Sequence, residues 1–540
     1  MSDPHAALAP WPARFNLCEY FLDHNLATRA SKVALKVGAQ SRTYAQVSER
    51  AKRVAAALRR AGVRAEDRVL IVLPDGFEFA EAWFGALRAG GVFAMVNPLL
   101  KRDEYEYYLA YSKCRAVITH SDVLPELADA ARSARQRPPV FVVGPDAGGF
   151  IAYEQALAAE DPNSALAELE PTGPDDLAGW LFTSGSTGKP KACVHVHGDF
   201  AWNTELYGLG VAGYRESDVC LSVPKLFFGY ATGTNLMFPF RAGATSVLFA
   251  GRATADELYD QIAAHRPTLL TSVPTMINNM LNSPRAASAD LTSLRVCLSA
   301  GEALPPALYR AWKARTGVEI LDGIGSAEMF HIYISNRLDD VKEGSLGKIV
   351  PGYEACIVDD EMRAVPTGEP GRLRVRGGST AICYWADRKK SRETFQGDWC
   401  TSADLFRVDA NGYYFYEGRA DDLLKVSGIF CSPLEIENAL LAHPAIAEVC
   451  VVGRDDKDGL TKPCAFVVLK SGHASADGFS GSDKLAAELK LWVKDRMAPH
   501  KYPRWFEWRA SLPKNDRGKV ARKELREEAV VLSTRGELQK

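Results

Sequence analysis

Between Thr183 and Lys191 the chain reads Thr-Ser-Gly-Ser-Thr-Gly-Lys-Pro-Lys, a run crowded with hydroxyls, glycines and lysines. Such a loop can turn backbone N–H groups and hydroxyls toward phosphate oxygens while Lys189 and Lys191 neutralise charge. A plain turn is the competing reading, because Gly, Ser and Thr mark turns everywhere. The Walker pattern does not fit, since it needs Gly where Thr183 stands and Ser or Thr where Pro190 stands. Pro190 also disfavours helical geometry at Lys189, so this loop does not open a helix. A second run, Asp322-Gly323-Ile324-Gly325-Ser326-Ala327-Glu328, follows an apolar stretch. It resembles a dinucleotide fingerprint until Glu328 takes the place of the third glycine. A carboxylate there suits a hard cation such as Mg²⁺ better than a pyrophosphate, although a solvated glutamate is the ordinary alternative. His195-Val196-His197 invites a metal reading, but alternation along a strand leaving the first loop is simpler, and neither histidine is assigned a catalytic role. The charged stretches Gly418–Gly428 and Pro513–Lys519 say little singly.

The elements that must carry these runs follow from periodicity. Val47, Ala51, Val54 and Leu58 recur at helical spacing, and Arg68–Pro74 follows as a buried strand. Helix and strand then alternate: a helix over Phe77–Arg88 and strands at Ala116–Thr119, Val140–Val143, Ser246–Phe249, Leu269–Ser272, Arg295–Ser299 and Glu319–Leu321. That order predicts parallel α/β layers. From about Gly347 short strands separated by Gly, Pro and Asn-Gly predict a small antiparallel or barrel-like unit. After Asp422 a helix at Pro433–Leu441, strands at Glu448–Gly453 and Ala465–Lys470 and a helix over Lys484–Met497 predict a compact α+β domain.

The 540 residues are too many for one hydrophobic core. With 65 basic and 67 acidic residues the net charge is −2, which excludes a basic nucleic-acid scaffold and a long acidic tail. Eleven cysteines scattered from Cys18 to Cys464 without a CxxC argue against zinc modules and a disulfide framework. No apolar run approaches the ~18 residues that span a bilayer, and the N-terminus lacks a secretory pattern. A cytoplasmic, multi-domain enzyme is expected, with no nucleic-acid or membrane partner.

Taken in order, TSGSTGKPK, GIGSAE, Asp404, GRADDLLKVSG and PKNDRGKVAR resemble the adenylate-forming superfamily of acyl-CoA ligases, luciferases and peptide-synthetase adenylation domains. The resemblance runs from about residue 20 to 526, and residues 225–240 and 322–336 look most like benzoate–CoA and related arylate–CoA ligases. It implies an α/β fold: an N-terminal domain (1–420) of layered αβα subdomains plus a small β-barrel, then a small mobile α+β domain (421–540) hinged at Asp421. It implies that an aromatic acid (benzoate, 2-aminobenzoate or hydroxybenzoate) is adenylated with ATP and Mg²⁺, then transferred to coenzyme A. A carrier-protein acceptor and a medium-chain fatty acid are the alternatives, and a homodimer is left open. On this resemblance Thr183, Ser184, Gly185, Ser186, Thr187, Gly188 and Lys189 would hold the phosphates. Gly301, Glu302, Ala303, Asp322, Gly323, Ile324, Gly325 and Ser326 would surround the nucleotide, Asp404 and Arg419 the ribose. Glu328 would bind Mg²⁺, and Lys519 the reacting carboxylate and α-phosphate. Phe228, Gly229, Tyr230, Ala300, Gly325 and His331 would line the acid pocket with Lys425 on the carboxylate, and Ser427 and Gly428 would meet coenzyme A. Two motifs depart from the family pattern: Ile324 and Ala327 stand where it has Tyr and Thr before Glu328, and Ser402-Ala403-Asp404 stands where it has Thr-Gly-Asp.

Overall fold

Two large sheets carry most of the chain. The computed structural model describes residues 8–184, 189–419, 424–426, 429–456, 459–475, 477–498, 501–514 and 520–538. One sheet runs in the order Cys383–Tyr384, Pro190–Val196, Leu177–Ser184, Val92–Met95, Arg68–Val72, Ala116–His120, Val140–Val143 and Ile151–Ala152. Its strands are parallel from Leu177–Ser184 onward, and the first two pairings are antiparallel. The second sheet has nine strands, with a parallel centre formed by Glu319–Gly325, Val296–Ser299, Leu269–Ser272, Val219–Ser222, Thr245–Leu248 and Val33–Val37. Val69–Leu73 is buried throughout, as a strand covered on both faces must be.

The helix Tyr44–Arg60 begins at a capping box in which Thr43 and Gln46 exchange hydrogen bonds. Its Val47, Ala51, Val54 and Leu58 are buried, confirming the helical spacing read from sequence. The expected barrel-like unit is a five-stranded antiparallel sheet of Glu354–Val358, Gly371–Arg376, Trp399–Val408, Phe395–Gln396 and Tyr414–Arg419, in open order among the described residues. The last part has a three-stranded sheet (Ile446–Asp455, Thr461–Leu469, Trp505–Trp508) with the helices Pro433–Leu441, Asp483–Lys494 and Arg522–Leu538. The predicted helix over 484–497 ends earlier, at Lys494. Among the described residues no helix is long and apolar enough to cross a membrane.

Candidate functional site

Parallel strands leave their carboxyl ends open on one side, and the chain must turn there before the next helix. Five such ends, from both sheets, converge on one cavity of about 1040 Å³. Met95–Asn97 come from the first sheet; Phe227 and Phe228, Pro274 and Thr275, Gly301–Ala303 and Gly323–Gly325 come from the second. Asp404 and Tyr416 close another side, and Glu437, Asn438, Lys470, Val520 and Arg522 of the C-terminal part complete the lining.

The run Thr183–Lys191 spans the end of an antiparallel hairpin, where Thr183 faces Lys191 and Ser184 faces Pro190. Gly185, Ser186, Thr187 and Gly188 lie outside the described residues. Lys189 stands over the Tyr107 ring at 5.3 Å. Lys191 pairs with Asp387 at 3.2 Å and lies 5.6 Å from the Tyr384 ring centre. Glu302 is fixed at the cavity wall by Thr275, whose N–H (3.1 Å) and hydroxyl (2.8 Å) both donate to it. Gly301 takes φ +87, a turn that a β-carbon would strain. Asp404 lies opposite Arg419 in register, so two positions distant in sequence become a pair. The Asp404 N–H donates to the Ser402 hydroxyl at 3.0 Å. Ala403 lies mid-strand and is not among the residues with positive φ, so the missing glycine costs nothing there.

Glu328 is half-buried in the short turn Ala327–Met329. The Tyr384 hydroxyl donates to its Oε1 at 2.6 Å, and the Ala381 N–H to its carbonyl at 2.8 Å. Burial and the charge of Glu328 push the Tyr384 phenol far up, so it remains a donor. Among the described residues no cluster of three or more His, Cys, Asp or Glu makes a metal cage. A magnesium ion carried by phosphates needs only one or two carboxylates, and Glu328, with a second oxygen that no described donor occupies, fits that requirement.

Of the expected acid pocket, Phe228 and Gly325 line the large cavity, while Gly229, Tyr230, Ala300 and His331 are not among its lining residues. Gly325 has a different reason to be small. A β-carbon there would run into the His331 carbonyl oxygen, because Glu319–Gly325 and Ile332–Ser335 pair across a tight turn. His331 is buried among Tyr207, Tyr230 and Phe238, with its Nε2 2.9 Å from the Tyr230 carbonyl. Burial pulls its imidazole down to about 4. Burial also pushes the Asp322 carboxyl up to about 8, with Ser299 and the Gly323 N–H opposing. The His331 Nδ1, Tyr230 Oη and Asp322 Oδ1 are buried without a hydrogen-bond partner among the described residues.

Ala420–Leu423 (with Asp421), Ser427, Gly428 and Asn515–Lys519 lie outside the described residues, so the hinge, coenzyme A and Lys519 expectations receive no placement. Lys425 and Arg419 are placed by backbone alone, in the strands Leu424–Val426 and Tyr414–Arg419. Three roles escaped the sequence reading: Tyr384 on Glu328, Thr275 on Glu302, and Asp75. Asp75 is buried, accepts the Leu226 N–H at 2.8 Å, and is pushed up to about 6 by burial, with Lys225 opposing. Lys225 donates to the Phe249 carbonyl at 2.6 Å and lies over that ring at 3.2 Å; burial pulls its ammonium down to about 8. These groups anchor the segment that ends in Phe228. The only sequence signal was a charged residue in an otherwise apolar stretch.

A family model described as AMP-binding enzyme matches residues 22–385, and one described as AMP-binding enzyme C-terminal domain matches residues 435–519. A benzoate–CoA ligase of Thauera aromatica is 42% identical over 519 residues, covering 95% of this chain and 96% of its own length. The crystal structure of the anthranilate CoA ligase AuaEII in complex with anthranoyl-AMP matches with a TM-score of 0.92 and 39% identity, over 97% of this chain and 99% of that one. A benzoate CoA ligase from Burkholderia xenovorans LB400 matches with a TM-score of 0.87 and 43% identity, over 95% and 100% of the two chains.

Proposed function

This chain belongs to the AMP-binding enzyme family, and we propose that it adenylates an aromatic carboxylic acid with ATP and then transfers the acyl group to coenzyme A. The observation that carries this reading is the single cavity in which Glu302, Gly323–Gly325 and Asp404 meet the aromatic Phe227 and Phe228. Likeness over nearly the full length to the benzoate and anthranilate ligases supports the same substrate class.

In the first half-reaction a carboxylate oxygen bonds to the α-phosphorus as the bond to pyrophosphate breaks. In the second, the coenzyme A sulfur bonds to the acyl carbon, AMP leaves, and the thiol proton passes to solvent. Neither step needs a protein nucleophile. Catalysis is positioning plus fixed charge aimed at phosphoryl oxygens. The hairpin loop at Thr183–Lys189 holds the terminal phosphates, Asp404 and Arg419 hold the ribose hydroxyls, and Gly301–Ala303 with Asp322–Ser326 flank the base. Lys519 meets the reacting carboxylate and α-phosphate, and Lys425 the carboxylate. Bound Mg²⁺ would be held by Glu328 and would neutralise phosphate charge. Division into 1–420 and 421–540, with Asp421 as hinge, lets the C-terminal part present Lys519 first and the Ser427–Gly428 strip to coenzyme A afterwards. Phe228, Gly229, Tyr230, Ala300, Gly325 and His331 shape the ring pocket, whose closed end at Tyr230 and His331 excludes a long alkyl chain.

A pyrophosphate-release panel over benzoate, 2-aminobenzoate, hydroxybenzoates and octanoate, with and without coenzyme A, tests this. Aryl acids are expected to lead in kcat/KM. Octanoate outcompeting every aryl acid overturns the aromatic reading, and acid-dependent turnover only with a carrier protein overturns the coenzyme A assignment.

A further inference from the structure

His195 belongs to the strand Pro190–Val196 that descends from the phosphate loop, and its ring is wholly buried. The sequence places His197 beyond it on the same strand, but His197 instead opens the helix His197–Asn203 and accepts the Leu17 N–H at 3.2 Å. The two histidines therefore do different things. The Nε2 of His195 lies 2.7 Å from the carbonyl oxygen of Ala327, and Nδ1 lies 2.8 Å from Oδ2 of the buried Asp199. A carbonyl only accepts, so Nε2 carries a proton, and the Asp199 carboxyl fixes the ring through the other nitrogen. Asp199 also receives the Val196 N–H at 3.3 Å.

The residue on the far end of this chain of bonds is the one before Glu328. From Ala327 the backbone makes two abrupt turns. Phe330 adopts φ +66 and ψ −59, and the His331 N–H donates to the Met329 carbonyl at 2.9 Å across it. That is a γ-turn of the rare, strained kind, in a bulky residue that seldom takes positive φ. Strain persists only where the surroundings over-determine it. Here the surroundings are specific. His195 and, at 3.4 Å, the Phe330 N–H hold the Ala327 carbonyl; Ala381 N–H holds that of Glu328; the Ser379 hydroxyl holds that of Met329 at 2.9 Å. The strained turn carries Glu328 at one end and His331 at the other, and His195 ties it to the hairpin bearing the phosphate loop.

We infer that His195, oriented by Asp199, is a positioning residue that registers the Glu328–His331 turn against the phosphate hairpin. The inference rests on the proposed role of Glu328 toward phosphate-borne Mg²⁺. Groups that orient a metal-binding side chain typically matter by 10–100-fold in affinity, so His195→Leu is expected to weaken binding of Mn²⁺·ATP about 10–100-fold. Paramagnetic resonance, with no acid present, reads this binding. His195→Gln, which keeps an amide donor, is expected to return within about threefold of the parent. In turnover, KM values for Mg·ATP and for the aryl acid should rise while that for coenzyme A moves less than about twofold; a merely structural loss would lower active enzyme and leave every KM alone. Should His195→Leu not fold, Asp199→Ala tests the same chain of bonds, with at least about fivefold weaker Mn²⁺·ATP expected. Folded His195→Leu or Asp199→Ala that binds Mn²⁺·ATP as the parent does overturns the inference. Glu328→Gln that binds Mn²⁺·ATP as the parent does would instead overturn the role given to Glu328.

Discussion

The two ends of the Ala327–His331 turn are built on opposite terms. At Glu328 the protein supplies its own partners: Tyr384 on the carboxylate, Ala381 on the carbonyl, His195 on the preceding peptide. At His331, a few residues on, the environment is drier and its polar atoms are incompletely paired. The imidazole spends Nε2 on the Tyr230 carbonyl, and its Nδ1, the Tyr230 hydroxyl and an Asp322 oxygen have no described partner. Each such orphan costs about 1–3 kcal/mol. Glu328 is held through its carbonyl, the preceding peptide and one carboxylate oxygen, with the second oxygen left for a ligand, whereas several polar atoms around His331 have no partner among the described residues. The geometry of the first end is the one fixed in advance. Under the proposed function, the first end grips a reactant common to every turnover, and the second reads the ring that varies.

The largest expected effect falls on the reactant common to every turnover. Lys519→Ala should slow adenylation by about 10²–10³, the scale of losing one preorganised charge aimed at a developing oxyanion. Thioester formation from pre-made acyl-adenylate should be nearly unchanged. Single-turnover measurement of the two half-reactions checks this, and equal losses in both would remove Lys519 from the adenylation step.

Next comes the turn that joins the two ends. Gly325→Val puts a β-carbon against the His331 carbonyl oxygen and within 2.8 Å of the Ile332 nitrogen. Overpacking against backbone costs about 1–3 kcal/mol. A lower denaturant midpoint, together with poorer binding at both ends, is expected. An unchanged midpoint would mean that the turn yields easily, and the contrast between a fixed and a receptive end would lose its basis.

How far the sequence disclosed this site depends on the kind of feature. Layered strands and helices were legible because Val69–Leu73 and the Val47–Leu58 stripe carry their own periodicity. Strand ends shifted by a residue or more where the register of neighbours decides them: Glu319–Gly325 extends past the predicted Leu321 because Ile332–Ser335 pairs with its far end. Ordered motifs singled out Glu328, Asp404 and Arg419, the last two of which the structure sets opposite each other. The groups that hold those residues were not legible. Tyr384 reaches Glu328 from 56 residues away, and His195 reaches Ala327 from 132. Such ties are set by the packing of one sheet on another, which no local spacing encodes. The small residue at 325 was legible as small but not for its cause.

A pH test isolates the His331 end. His331 is held down at about 4 by burial, against about 6.5 in an unfolded chain. Above pH 6.5 the ring is neutral in both states and contributes nothing to the pH dependence. As pH falls from 6.5 to 4 the unfolded chain takes up a proton that the folded ring refuses, so stability is lost across that window. Between pH 7 and 5 this amounts to roughly 2 kcal/mol. Urea midpoints of the parent and of His331→Gln at the two pH values should therefore differ, the variant losing less on acidification. Parallel losses would place the ring in a wetter setting than its packing indicates.

The smallest effect is on choice among substrates. His331 and Tyr230 offer the polar atoms nearest the proposed closed end, and an imidazole can donate or accept. His331→Ala removes that contact and leaves space beside Tyr207 and Phe238. One neutral hydrogen bond is worth about 0.5–1.5 kcal/mol, roughly two- to tenfold in a ratio of kcat/KM. Space beside the ring acts oppositely, since a bulkier acid gains whatever contact it fills. The order among benzoate, 2-aminobenzoate and the hydroxybenzoates should thus change by up to about tenfold, while KM for ATP moves little, because Glu328 keeps its ties to Tyr384 and Ala381. Competition between paired acids in one reaction measures the ratio directly. A uniform fall across all acids, with ATP binding weakened alongside, would show that His331 supports the turn rather than reads the ring, and the two ends would then be one device.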